Sequence, residues 1–497
     1  MTPLPRRQIF SFICLLVGSC LSVGCASSQP DRPEHNRYNV LFIAVDDLRP
    51  ELGCYGVDYV QTPHIDRLAE RGVVFNQHFV AVPTCGTSRY ALLTGRSPIT
   101  SGARGSNNGA FYGGPSKLNP EQQPGAQSLP ELFRRSGYRT VLIGKVSHTA
   151  DGKVFAYNGN GDGREEVPHA WDDYATPYGP WERGWGVFFA YANGKHREDG
   201  QGNRDLLEFA VENDNDLPDG LMADVAIDKL KELKERGEPF FMGLGFFKPH
   251  LPFVAPRQDW EAVAQWDVPP PHSPEGMAST YTNARSGEFY KYRMDWEKNR
   301  PLDPEDALAA RRAYLACVRY TDRQVGKVLD ALEEAGLADN TVVVLWGDHG
   351  WFLGDGAQWG KHSALETALH SPLIITAPGL AQPGMKTPAV ASTIDIYPTL
   401  IDLCRPTFTQ TAHPLDGISL APVMTGEAPS VRDISVSTWN GATSYRSATH
   451  RLVFRNPPDD GPRDLELYDL RREDGAWVNV ILEQPDVVGP MLESTHK

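Results

Sequence analysis

Cysteine is scarce and poorly placed for cross-linking. Of seven in 497 residues, Cys14, Cys20 and Cys25 fall at the start, and Cys54, Cys85, Cys317 and Cys404 are scattered through the rest. No two have the spacing of a thiolate metal knuckle, and the density is far below that of a disulfide-stapled fold. An excess of positive charge is missing as well. Forty-eight Lys and Arg face 63 Asp and Glu, a formal net charge of -15. That balance argues against a nucleic-acid partner and requires any anionic substrate to be held by local cations. After the N-terminal stretch no apolar run approaches the roughly 20 residues of a membrane span. No internal repeat is visible, and 40% hydrophobic with 22% charged residues excludes a collagen-like, coiled-coil or wholly disordered chain.

Arg6 and Arg7 followed by an apolar stretch over 9–23 read as an export signal occupying residues 1–25, with a polar linker over 26–37. Gly24 before Cys25 resembles a lipoprotein processing site, which would place a lipid on Cys25. A plain secretory cut near Ala26 is the alternative, and Arg6-Arg7 as a twin-arginine address is a weaker one. On each reading the body is exported: periplasmic, tied to the outer membrane only through lipid, or secreted. The remaining length suits one large α/β core over 38–405 and a smaller C-terminal subdomain over 406–497.

Along the body, apolar runs alternate with helical patterns. Residues 39–45 form a near-continuous apolar run ending in Asp46-Asp47, as expected of a buried parallel strand whose C-terminal end carries polar function. A helix is predicted over 63–71, opened by Pro63 and closed by Gly72. The apolar run 73–82 leads to Cys85 and a helix through Leu93, and a helix over 129–136 ends at Gly137. A strand over 140–143 delivers Gly144-Lys145, and a strand over 240–247 ends at Lys248-Pro249-His250. A long helix over 304–335 precedes a strand over 341–346, which ends at Asp348-His349. The pattern is a doubly wound, mostly parallel sheet flanked by helices. Long polar insertions over 101–126, 151–219 and 263–304 emerge near the same strand ends, where they would wall a pocket. Short runs over 434–438, 451–454 and 465–470 suggest a small antiparallel C-terminal subdomain.

In a parallel sheet the C-terminal strand ends share one edge, and ligands bind there. Asp46-Asp47 and Asp348-His349 can therefore meet despite their separation in sequence. Carboxylates without thiolates suit a hard divalent cation, Ca²⁺ or Mg²⁺. His35, His64, His78 and His413 lack such neighbours and read as structural.

The stretch Pro83-Thr84-Cys85-Gly86-Thr87-Ser88-Arg89, with Thr94-Gly95-Arg96 after a short helix, resembles the signature of type I sulfatases. In that family the cysteine is oxidised to formylglycine. Thr87 replaces the usual proline. Further matches include Asp46-Asp47-Leu48-Arg49-Pro50, Gly144-Lys145-Val146-Ser147-His148, Lys248-Pro249-His250-Leu251-Pro252-Phe253, Asp348-His349-Gly350-Trp351 and Trp359-Gly360-Lys361. These resemble the iduronate-2-sulfatase branch, and they run from about Asn39 to Leu470.

The resemblance implies an alkaline-phosphatase-like α/β fold and one Ca²⁺ held by Asp46, Asp47, Asp348, His349 and the modified Cys85. It also implies cations for the sulfate, Arg89, Lys145, Lys248 and Lys361, with Arg89 able to steady the nucleophile. His250 is the expected general acid, with Lys361 able to share that role, and His148 the group that assists the diol. A serine or thiol attacking sulfur would end as a stable adduct. A geminal diol attacks through one hydroxyl and expels sulfate through the other by re-forming C=O. The implied partners are a formylglycine-generating maturation enzyme and a sulfated carbohydrate, with a 2-O-sulfated uronic acid as the branch's substrate. From the loops Arg104, Asn107 or Lys195 could contribute to reading the uronate carboxylate, and Trp181, Trp185 or Tyr178 could stack on sugar faces, with packing as the commoner role for aromatics at such spacing. Two alternatives stay open. One is a phosphoester or phosphonate hydrolase of the same superfamily, and the other is a non-catalytic glycan-binding lipoprotein whose Cys85 is never converted.

Overall fold

The computed structural model describes residues 37–493 except 106, 108, 155–161, 201–203, 274–276, 283–286, 293–301, 381 and 456–460. The export signal, Cys25 and His35 lie outside the described residues. Among the described residues no helix is long and apolar enough to cross a membrane.

The main sheet is built from β1 (Asn39–Val45), β2 (Val73–Phe79), β3 (Arg139–Gly144), β4 (Asp173–Tyr174), β5 (Phe240–Phe246), β6 (Thr341–Gly347), β7 (Leu373–Thr376) and β8 (Met385–Ser392). Their order is β8-β2-β7-β6-β1-β5-β3-β4, and only β7 runs against the others. Central strands β1, β5 and β6 are buried at every position, which is why they read as continuous apolar runs rather than alternating ones.

Alternate residues of β1 feed two cores. Leu41, Ile43 and Val45 face a layer formed by helices α1 (Pro63–Arg71), α4 (Pro218–Arg236) and α5 (Pro304–Glu334). Val40, Phe42 and Ala44 face α2 (Cys85–Thr94), α3 (Leu129–Arg135) and α6 (Ile396–Cys404). Asp303 opens the 31-residue α5 by accepting hydrogen bonds from the Glu305 and Asp306 amides.

Several of these elements were not legible in advance. Helix α4 begins inside the segment read as an insertion, and its buried stripe of Met222, Ala223, Ala226, Leu230 and Leu233 is interleaved with charge. Strand β7 is only four residues long. Strand β8 contains Pro388 and shifts register between Thr387 and Val390, which an edge strand tolerates.

A second, antiparallel sheet follows: β9 (Ser435–Trp439), β10 (Ala442–Arg446), β11 (His450–Arg455) and β12 (Arg463–Asp469). Asn440 and Gly441, at φ 47° and 76°, close the β9–β10 hairpin in the left-handed geometry a two-residue turn demands. The hairpin docks on the segment that leads to Cys85. The Thr438 amide donates to Ala81 O at 2.9 Å, and Ser437 Oγ donates to Val80 O at 2.7 Å.

Candidate active site

Four strand ends and one helix start converge. Strand β1 delivers Asp46 and Asp47, β6 delivers Asp348 and His349, β3 delivers Lys145, and β5 delivers Lys248 and His250. Helix α2 begins at Cys85 and carries Arg89 one turn later. All of these residues, and Lys361 from the loop after β6, are buried.

The carboxylates are held by a web of donors. The Asp47 amide donates to Asp348 Oδ1 at 2.9 Å, and Arg89 Nε donates to Asp348 Oδ2 at 2.9 Å. Lys145 Nζ donates to Asp46 Oδ2 at 2.5 Å, and Arg89 lies 3.4 Å from Asp46 Oδ1. Burial opposes the charge on Asp46, but Lys145, His250 and Arg89 outweigh it and hold the carboxyl well below its usual range. Asp47 is pushed the other way by burial, with Lys361 and His349 offsetting part of the rise.

Asp47 adopts a left-handed φ of 60°. A non-glycine residue there is strained and must be held by its surroundings. The hold is Tyr314 of α5, whose hydroxyl donates to Asp47 O at 2.8 Å and accepts from the Arg49 amide at 2.9 Å.

Cys85 Sγ lies 3.1 Å from Lys361 Nζ and 3.4 Å from His349 Nε2, and Lys361 Nζ also donates to Asp47 Oδ1 at 2.8 Å. Burial, reinforced by Asp46, pushes the thiol up to about 12, so the unmodified side chain is a neutral and weak nucleophile. Thr87 lies in the first turn of α2, where an amide has no partner within the helix, so the position accepts threonine or proline alike. Asn107, from the insertion after α2, caps the Cys85 end of the helix. Its Oδ1 accepts from the Gly86 amide at 2.8 Å and from Thr84 Oγ1 at 2.9 Å. A Cβ at Gly86 would meet Asn107 O at 2.4 Å, so this approach requires glycine.

The donor set fits a hard cation. Ligand atoms of Asp46, Asp47, Cys85 and His349 lie within 4.8 Å of one another. Asp46 Oδ1 and Asp47 Oδ2 are buried without a hydrogen-bond partner. His349 has Gly350 O 3.0 Å from its Nδ1, which places the proton there and turns the Nε2 lone pair inward. Asp348 sits beside this group, 3.5 Å from His349 Nε2, with its oxygens already engaged.

Beside the cluster opens a cavity of about 290 Å³ lined by Cys85, Lys145, His148, His250, Trp185 and Glu288, among others. His250 contacts acceptors on both nitrogens, Leu251 O at 2.7 Å and Glu288 Oε1 at 2.9 Å, which favour the protonated ring, whereas burial draws it down to about 4. Glu288 also lies 3.3 Å from Lys361 Nζ, and Lys361 together with the hydrogen bond from His250 keeps it ionised despite burial. Burial and Lys145 hold His148 well below its usual range, a neutral base at the cavity wall.

Lys248 is placed differently from the other lysines. Its amine donates to His250 O at 3.2 Å and Pro252 O at 2.5 Å, so it braces the loop that carries His250. Lys195 is exposed, and Arg104 donates to Pro98 O at 3.4 Å. Of the three aromatics, Trp185 lines the cavity, while Trp181 Nε1 donates to Tyr191 O and Tyr178 Oη to Asp151. His78 is buried between Ser371 and Thr393 and drawn down to about 3 by burial. Cys54, Cys85, Cys317 and Cys404 are all free and buried. Glu288, His362, Arg197 and Lys291 also line the cavity and come from the insertions or a loop, where no periodicity marks them.

Comparison with known proteins bears on the same residues. The sulfatase family model matches residues 38–405. A mouse (Mus musculus) protein described as iduronate 2-sulfatase is 30% identical over 404 residues, covering 77% of this chain and 67% of its own. Among solved structures, a phosphonate monoester hydrolase from Silicibacter pomeroyi superposes with TM-score 0.69 at 24% identity, covering 92% of this chain and 94% of its own. A 2-O GAG sulfatase superposes with TM-score 0.64 at 21% identity, covering 92% and 90%. The alkaline-phosphatase-like α/β fold expected from the motifs, with its small C-terminal antiparallel sheet, is the fold observed. The chain belongs to the sulfatase family, enzymes that hydrolyse sulfuric esters.

Proposed function

We propose that this sulfatase is an exported enzyme that removes sulfate from a carbohydrate, with a 2-O-sulfated uronic acid as the favoured substrate. The observation that carries this reading is the buried Cys85 side chain, set between His349 and Lys361 against Asp47 and opening on a cavity lined by cations. The names of the iduronate 2-sulfatase relative and the 2-O GAG sulfatase neighbour support the choice of sugar and position.

Cys85 is proposed to be converted to formylglycine, whose hydrate supplies both a nucleophilic hydroxyl and an intramolecular exit for sulfate. Asp46, Asp47, Asp348 and His349 would hold Ca²⁺, which would supply Lewis acidity toward sulfate and hydroxyl oxygens. Lys145 lines the cavity and Lys361 Nζ stands 3.1 Å from Cys85 Sγ, so both ammonium groups would oppose the charge that builds on sulfate oxygens. Arg89 is locked onto Asp46 and Asp348 and so fixes the carboxylates rather than reaching the cavity itself. His250, protonated when Glu288 and the anionic substrate offset the burial that draws it down, would protonate the departing sugar oxygen, with Lys361 as the second donor. Glu288 accepts from His250 and pairs with Lys361, aiming both. Neutral His148 takes the proton of the second hydroxyl when the carbonyl re-forms.

The resemblance to a phosphonate monoester hydrolase keeps one rival reading, hydrolysis of a phosphorus ester at the same centre. Purified protein co-expressed with a maturation enzyme should turn over an aryl sulfate and a 2-O-sulfated uronate, and phenyl phosphonate monoesters far more slowly. The reverse order would favour the rival. Mass spectrometry of the Cys85 peptide should show the aldehyde, and Cys85→Ala should abolish turnover without changing the melting temperature. An unmodified thiol in active protein would sink the proposed chemistry.

A further inference from the structure

We infer that the space between the C-terminal hairpin and the 277–282 segment is a second sugar subsite, continuous with the catalytic cavity across His362. The inference rests on the carbohydrate reading above and extends it to a substrate of at least two rings.

A cavity of about 240 Å³ is lined by Thr280, Thr282, His362, Trp439, Asn440 and Arg455, together with nearby residues. His362 lines this space and the catalytic cavity alike, and so is the residue at which they meet. Its backbone is left-handed, at φ 68°, a strained state for a residue with a side chain. Such strain persists where the surroundings impose it and clusters at ligand sites. On one side His362 Nε2 lies 3.3 Å from Thr84 Oγ1, next to the nucleophile. On the other its ring stacks on Trp439, with centroids 4.9 Å apart and planes 18° from parallel.

The lining is what a sugar ring requires: hydroxyls, an amide, an aromatic body and one guanidinium. Arg455 gives one N–H to Asn440 O at 3.0 Å, lies 3.7 Å from Asp464 and sits over the Tyr281 ring, and among the described residues the remainder of its planar fork faces no other acceptor, so it can meet an anionic group. The ligand class is therefore a neighbouring sugar that bears sulfate or carboxylate. Size agrees. Each cavity alone falls below the roughly 300–1,000 Å³ of common ligand sites, whereas the two joined at His362 fall within it. The hairpin is rigid enough to act as a wall, since β9 is fastened to Val80 and Ala81 just before Cys85.

The test compares the converted enzyme on a 2-O-sulfated uronate monosaccharide and on the same uronate linked to a sulfated hexosamine. Arg455→Met removes the cation. Asn440→Gly removes the amide but keeps the left-handed turn, so it serves if the first variant folds poorly. The ratio of kcat/KM on the disaccharide to kcat/KM on the monosaccharide should fall about tenfold in Arg455→Met and less in Asn440→Gly, chiefly through KM. A ratio that stays constant, whether both substrates weaken together or neither does, overturns the subsite. If the parent enzyme turns over an aryl sulfate but neither sugar, the carbohydrate reading itself fails, and the inference falls with it.

Discussion

Asp47 concentrates the constraints of the site, because its backbone is left-handed and its carboxylate faces Lys361 and His349. One buried phenol holds it there. Tyr314→Phe leaves Asp47 O and the Arg49 amide without their partner while changing almost no volume. Calcium affinity measured by calorimetry should weaken about 10- to 100-fold, as for other groups that orient metal ligands. An unchanged affinity would remove Tyr314 from that role. Glu288 permits a second test at this scale. Glu288→Gln should lower kcat on a sugar sulfate by about 10²-fold, since the departing alkoxide needs a proton, and affect an aryl sulfate much less. Equal losses on both substrates would show that Glu288 does not act through the acid. The motif residues were legible because they stand at strand ends beside other polar groups. Glu288 and Tyr314 were not. One lies in an insertion without periodicity, and the other has the spacing of an ordinary core residue on a long helix.

At the scale of elements, a largely enclosed carboxylate in the short helix between β6 and β7 ties the main sheet's connection to the second sheet. Glu366, beyond β6, accepts from Arg446 Nε of β10 at 3.0 Å and Arg451 Nε of β11 at 2.7 Å. Burial opposes its charge, but the two arginines prevail and hold it down to about 2. A carboxylate lowered in the folded state stabilises above its unfolded value. That contribution is fully present above about pH 4.5 and disappears as pH falls toward 2. Glu366→Gln should cost about 3 kcal/mol at neutral pH, because two buried cations lose their partner, and should flatten the acid limb of the stability curve. Denaturant titration from pH 7 to pH 3 checks both. Of the strands at this joint, β6 and β11 were readable from their apolar runs, whereas β10, Ala442–Arg446, is mostly polar and was not. Strands β7 and β8 were not, being very short in one case and interrupted by Pro388 in the other.

Across the whole molecule, strand ends distributed from Asp46 to His349 converge because parallel pairing sends β1, β3, β5 and β6 to a single edge. That convergence was foreseeable from chain order. So was a pocket walled by the long insertions, which supply Asn107, Trp185, Arg197, Glu288 and Lys291 to it; which of their side chains would face it was not, since these loops pack by irregular contacts. If the acidic cluster holds calcium in the folded state alone, calcium at about a hundred times its Kd adds about 2.7 kcal/mol of stability, and chelation should lower the melting temperature by a matching amount. A melting temperature indifferent to calcium would leave the cluster without its ion.

The burial of Cys85 sets an order of events. Its side chain is 2% exposed, beneath a capped helix start where even one added carbon at Gly86 would strike the Asn107 backbone. No second protein can grip that thiol once the sheet has closed. If Cys85 is converted as proposed, the maturation enzyme has to reach it before the sheet closes, so the yield of competent molecules would be set by a race between collapse and chemistry, and protein that folds first would stay inert.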